Sequence, residues 1–181
     1  EGKFTLAFDA PGDLAVYRNE DFMPRAWLVR DVITVAPGHF DAANLSAVFD
    51  EAELDPRQRA VVESAGPLDF AGEVAAGEQA QVTALDSSHL RVDVQADAPA
   101  LLLLSEVWYP GWRAEVNGVE TPIYRANGAL RALAVPAGAS TVELRFAPPS
   151  WRTGLWLALA GLIIAAVLAL IPRRRKPRPS P

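Results

Sequence analysis

Three large aromatics fall within five residues in Val107-Trp108-Tyr109-Pro110-Gly111-Trp112-Arg113, and Ile123-Tyr124-Arg125-Ala126-Asn127 follows shortly after. Aromatic rings beside a Pro-Gly turn can stack on a sugar or lie against a membrane interface. Trp108, Tyr109, Trp112, Arg113, Tyr124, Arg125 and Asn127 therefore form the candidate glycan- or interface-binding surface. The same residues also suit plain packing, in which the rings plug the end of a sandwich and Arg113 and Arg125 pair with strand acids. Ring faces exposed in a concave patch favour binding, and buried rings favour packing.

No catalytic constellation accompanies them. His39 and His89 stand 50 residues apart with no metal-ligand spacing around either. The carboxylate-rich stretch Asp50-Glu51-Ala52-Glu53-Leu54-Asp55 lacks the alternating ligands and turning glycine of a calcium loop, and reads as a solvated helix end. There is no Gly-x-Ser-x-Gly elbow, P-loop or Gly-x-Gly-x-x-Gly, and the absence of cysteine removes thiolate chemistry and Cys-ligated metals. No catalytic residue, metal or cofactor is expected from the chain itself.

The elements that must position the aromatic surface are mostly strands. Residues 79–146 alternate apolar and polar with period two and are punctuated by turn residues. Strands are expected at Ala80 to Leu85, His89 to Ala96, Ala100 to Glu106, Arg113 to Val116, Val119 to Arg125, Leu130 to Val135 and Thr141 to Phe146. Asp86-Ser87-Ser88, Asn117-Gly118, Asn127-Gly128 and Pro136-Ala137-Gly138 supply the turns, and Pro122 suggests an edge position. Upstream, Leu14 to Tyr17, Ala26 to Val35 and Ala60 to Val62 read as extended. Phe40 to Glu53 has helical spacing behind an Asp41 cap, and residues 64–77 read as a loop or a seam. The fold expected is mainly β: an antiparallel β-sandwich with a small α/β N-terminal part over 1–150, then one C-terminal transmembrane helix.

Charge supports the division. Of 181 residues, all 22 acids lie in 1–150, whereas 151–181 carry six basic residues and no acid. Gly154 to Ile171 is an uncharged run of 18 residues, about 27 Å as a helix against the roughly 30 Å of a bilayer core. Trp151 and Trp156 are placed as interface anchors, and Arg173, Arg174, Arg175 and Lys176 as basic anchors beyond Pro172. A transmembrane helix over 151–171 and a basic tail over 172–181 follow, with the C-terminus cytoplasmic and the bulk of the chain extracytoplasmic. The basic run lacks interleaved aromatics, so nucleic acid is not expected as a partner. Glu1 to Ala10 holds no secretory signal, and the chain reads as the C-terminal piece of a longer membrane protein.

Tyr109-Pro110-Gly111-Trp112, Asn117-Gly118, Pro122-Ile123-Tyr124-Arg125-Ala126-Asn127 and Val135-Pro136-Ala137-Gly138, leading into an apolar segment, resemble the C-terminal region of the bacterial YfhO-like family. Val16-Tyr17-Arg18-Asn19 and Met23-Pro24-Arg25-Ala26-Trp27-Leu28-Val29 extend the likeness upstream. The resemblance implies a large polytopic membrane protein related to the GT-C-type glycosyltransferases, which move a sugar from a polyprenyl-phosphate donor. Their catalytic acid lies in a loop that these residues do not include, so no catalytic role carries over. The implied partners are the lipid bilayer, the rest of the same membrane protein, and a glycan or polyprenyl-phosphate sugar. The function expected is an accessory or glycan-orienting domain of a lipid-linked-sugar glycosyltransferase of the cell envelope. The alternatives are a non-catalytic, membrane-anchored binding or structural sandwich and a tail-anchored adhesin unrelated to transferases.

Overall fold

A computed structural model describes residues 3–10, 14–40 and 55–170. Thirteen strands are present among them: β1 Phe4–Ala10, β2 Leu14–Asn19, β3 Ala26–Val29, β4 Asp31–Val35, β5 Arg59–Glu63, β6 Gln79–Asp86, β7 His89–Ala96, β8 Ala100–Val107, β9 Trp112–Val116, β10 Val119–Thr121, β11 Tyr124–Ala126, β12 Leu130–Val135 and β13 Gly138–Phe146. One helix, α1, follows at Pro149–Leu170. The strands form a two-stranded hairpin (β1-β2), a five-stranded sheet in the order β10-β9-β13-β7-β6, and a six-stranded sheet in the order β3-β8-β12-β11-β5-β4. All pairings are antiparallel except β4 with β5.

The two larger sheets face each other across one core. Leu90, Val92, Val94, Val142 and Leu144 come from the five-stranded sheet, and Leu28, Leu102, Leu104, Leu133 and Val135 from the six-stranded one. The six-stranded sheet is covered on its other face too, where Trp27, Val29, Val62, Leu101 and Leu103 are buried with Met23, Leu68, Phe70 and Tyr124 packed around them. Burial on both faces is why β8 carries the unbroken run Leu101-Leu102-Leu103-Leu104, while β7 in the other sheet alternates strictly. Mainly β is thus the observed class.

The segment expected as one strand over Val119 to Arg125 breaks at Pro122, which has no N–H for a ladder. β10 stays at the edge of the five-stranded sheet, and β11 crosses into the six-stranded one. Two hairpins turn as their Asn-Gly pairs require. Asn117 and Gly118 have φ of 51° and 79°, and Asn127 and Gly128 have φ of 45° and 81°; positive φ at both central positions matches the strand twist. The helix expected over Phe40 to Glu53 lies outside the described residues from residue 41 on.

The expected transmembrane helix over 151–171 is corrected. A helix does form, but among the described residues no helix is long and apolar enough to cross a membrane. Along α1, the side chains from Thr153 to Val167 form one described stretch. That stretch is exposed on every side, with Leu155, Leu157, Leu162, Ile163, Ile164 and Val167 all open. Trp151 and Trp156 are exposed on the same helix. Arg173, Arg174, Arg175 and Lys176 lie outside the described residues, and with them the basic run from which the orientation was read.

Buried between the upstream segment and the sandwich is an ion pair that spacing alone does not reveal. Arg30, just past β3, meets Glu78 with both carboxylate oxygens engaged, and their side chains are 3% and 0% exposed. Arg30 also donates to the carbonyls of Pro99 at 3.1 Å, Ala98 at 2.9 Å and Glu73. Glu78 accepts from the Ala75 and Asp97 N–H groups, each at 2.6 Å. The pair therefore fastens three segments at one point: the end of β3, the chain before β6 and the β7-β8 turn. The guanidinium beside it holds the Glu78 carboxyl at about 2, below its ordinary 4.5, against the opposing effect of burial.

Candidate functional site

Pro110 and Gly111 make the turn that starts β9, with Gly111 at φ +105°. The turn is pressed against the junction between β13 and α1. A Cβ on Gly111 would stand 3.1 Å from Phe146 Cε2 and from Pro148 Cα and Cβ. Trp112 lies opposite Phe146 in the β9-β13 register, and the Ala147 N–H donates to the Gly111 carbonyl at 2.7 Å. The rings of Trp112 and Tyr109 sit 5.5 and 6.2 Å from that of Phe146, both tilted by 46°.

Arg131 closes this end from the facing sheet. It stands on β12 on the same side as Leu133 and Val135, and its Cζ lies 3.9 Å from the Trp112 ring centroid. Its Nε donates to the Val107 carbonyl at 2.9 Å, while Nη1 is buried without a partner. Burial pushes the guanidinium below its ordinary value, with Glu106 opposing. Glu106 in turn is bound by Arg25 at 2.6 Å. Stacking on an indole face gives a desolvated guanidinium favourable electrostatics where no carboxylate is in contact.

The seven residues chosen from the sequence do not converge. Trp112 and Tyr109 share the cluster around Phe146; Trp112 is half-buried and Tyr109 is 63% exposed. Trp108 is half-buried and its N–H donates to the Ala129 carbonyl at 2.6 Å. Arg113 is exposed on β9, opposite Arg145 of β13. Tyr124 packs on the outer side of the six-stranded sheet. Arg125 donates to the Gly128 carbonyl at 2.6 Å, and its Cζ lies 5.5 Å from the Phe40 ring centroid. Asn127 is buried and joins the β11-β12 turn to β5. Its N–H donates to the Val61 carbonyl at 2.8 Å, and its Oδ1 accepts from the Val61 N–H at 2.9 Å.

That last arrangement carries a prediction. Asn127→Ala removes the acceptor of a buried N–H and leaves alanine at positive φ, so it should lower the unfolding free energy by about 2–3 kcal/mol. A urea titration reads this directly. A change under 0.5 kcal/mol would show the paired hydrogen bonds to be dispensable.

Sequence reasoning missed Arg131 and Phe146 as members of the aromatic end. The signal for Arg131 was its parity: in Leu130 to Val135 it shares the inward side with Leu133 and Val135. Among the described residues no group of three or more His, Asp or Glu could hold a metal ion.

The turn, its contacts with Phe146 and Pro148, and both hairpins lie within one region of likeness to known proteins. The family model described as "Bacterial membrane protein YfhO" matches residues 69–158, from the chain before β6 to the first turns of α1. No curated protein and no solved structure matches the chain. The match takes in the Tyr109–Trp112 turn, both Asn-Gly hairpins, Phe146 and the start of the helix, and over that region the chain is similar to the YfhO family of bacterial membrane proteins.

Proposed function

We propose that this chain is an accessory, non-catalytic β-sandwich module of a YfhO-like, glycosyltransferase-related membrane protein of the cell envelope, and that its aromatic turn is the joint between sandwich and helix. The observation that carries this reading is where the turn's groups are used. Trp112 has Arg131 against its ring and Phe146 beside it, Gly111 abuts Pro148, and the Gly111 carbonyl holds the first amide past β13. Little ring face remains on Trp112 for a sugar, which favours packing over the stacking platform. The exposed apolar sides of α1 support association with the membrane in the vicinity of this joint.

The test is an assay of the 181-residue chain alone with a polyprenyl-phosphate sugar and an envelope acceptor. The reading expects no transfer and no hydrolysis of the donor. Transfer by this chain alone would overturn it.

A further inference from the structure

Opposite faces of the five-stranded sheet differ sharply: one is the apolar core, and the other presents amides, hydroxyls, carboxylates and the guanidinium groups of Arg91, Arg113 and Arg145. On that outer face the sheet has a step. β9 ends at Val116, opposite Val142, while β13 runs back to Gly138 and stays paired with β7 as far as Ala96. The step leaves a cleft of about 330 Å³ lined by polar residues of β6, β7, β13 and the β9-β10 turn. We propose that this cleft binds a neutral carbohydrate.

Two of its walls are already rigid. Asn117 occupies the place a continued β9 would take: its N–H donates to the Thr141 carbonyl at 2.8 Å, and its Oδ1 accepts from the Thr141 N–H at 2.9 Å. Its Nδ2 reaches Ser140 Oγ at 3.3 Å. Asp93 Oδ1 accepts from Arg91 at 2.9 Å and from Thr141 Oγ1 at 3.2 Å. Against these fixed groups stand Gln79, Gln81 and Gln95, all exposed. The register puts them two rungs apart on the same face, Gln79 opposite Gln95 and Gln81 opposite Asp93. A side-chain amide both donates and accepts, as a sugar hydroxyl does, so three of them can exchange paired hydrogen bonds with a polyhydroxyl ligand.

The charge of the lining selects against anions. Its one ionised group is Asp93, whose carboxyl the neighbouring Arg91 holds below its ordinary value, and the arginine is spent on that pairing. Among the described residues that line the cleft, a phosphate would meet a carboxylate and no Lys or Arg. Val94 and Ala139 are the only apolar lining residues, so the cleft offers no pocket for peptide side chains. Without an aromatic platform, binding rests on hydrogen bonds alone and belongs in the millimolar range, as net contributions of such bonds dictate.

The cleft does not depend on the joint proposed above, and the test separates them. The 181-residue chain, held in detergent micelles and labelled with 15N, is titrated with maltotetraose and chitotetraose to about 50 mM. The expected result is saturable shifts of the side-chain amide signals of Gln79, Gln81 and Gln95 with at least one of the sugars. The triple variant Gln79→Ala/Gln81→Ala/Gln95→Ala should bind about tenfold more weakly or worse, while Thr83→Ala, on the same sheet face but outside the cleft, should bind as the parent does. These substitutions are on exposed strand positions, and an unchanged urea midpoint confirms that each variant folds. Three results would overturn the proposal: no shift with either sugar, equal affinity of the triple variant, or stronger shifts of the same amides by tetraglycine. None of them bears on the Gly111–Ala147 contact.

Discussion

Glu78→Gln should cost about 3–5 kcal/mol of folding free energy at pH 7. The reason is what it leaves behind. Arg30 is almost wholly buried, and glutamine would keep the shape of its partner without the charge that offsets its desolvation. The double variant Arg30→Met/Glu78→Leu should recover most of the loss, because a matched apolar pair leaves no buried charge uncompensated. Urea midpoints of the parent and the two variants decide this. A double variant as unstable as Glu78→Gln would mean that losing the Arg30 contacts to Glu73, Ala98 and Pro99 costs as much as leaving its charge unpaired.

The same pair sets a pH dependence. Glu78 has a folded-state pKa of about 2 against an ordinary 4.5, so it binds its proton less readily folded than unfolded. Its contribution is therefore fully present above about pH 4.5 and is lost as pH falls through that value toward 2. The parent should lose stability steeply over that window, and Glu78→Gln should show a flatter acid limb on a lower plateau. Parallel acid limbs for the two proteins would contradict this assignment.

Gly111→Ala is the second large effect, at about 3 kcal/mol. Two costs combine: a side chain at φ +105°, and a Cβ 3.1 Å from the backbone of Pro148 and the ring of Phe146. Because one of those contacts is main chain, it cannot be relieved by a change of rotamer. The variant should loosen the turn from the start of α1 while leaving the sheet pairing of β7 with β13 intact. Gly118→Ala makes the comparison. Gly118 also has positive φ, but no atom stands within 4 Å of its added Cβ, so only the backbone cost of about 1–2 kcal/mol remains. Equal losses at the two glycines would mean that the contact with Pro148 contributes nothing.

Much of the sandwich could be read from residues alone, and the reasons are local. Strict alternation in His89 to Ala96 marks a strand with one wet face, and the Leu101–Leu104 run marks one buried on both. The Asn-Gly pairs marked hairpins because few other residues accept positive φ twice in succession. Strand β1 was overlooked although Phe4, Leu6 and Phe8 alternate. The candidate surface was less legible. Tyr124, Arg125 and Asn127 adjoin the Trp112 turn in sequence, but Pro122 sends them into the other sheet, and only the topology shows that separation. Arg30 and Glu78 are 48 residues apart with unremarkable neighbours, and nothing short of the fold brings them together. The apolar run after Gly154 was read from length and hydropathy alone. Helix formation followed, but the span did not among the described residues.

Amide hydrogen exchange of Ala147 tests the joint most directly, since its N–H bonds the Gly111 carbonyl at 2.7 Å just where the sandwich gives way to the helix. If turn and helix start are one rigid unit, Ala147 should exchange at least about a hundredfold more slowly than a free amide, and Gly111→Ala should remove that protection while Leu144 in β13 keeps its own. Exchange of Ala147 at the free-amide rate in the parent chain, with Leu144 protected, would contradict the account.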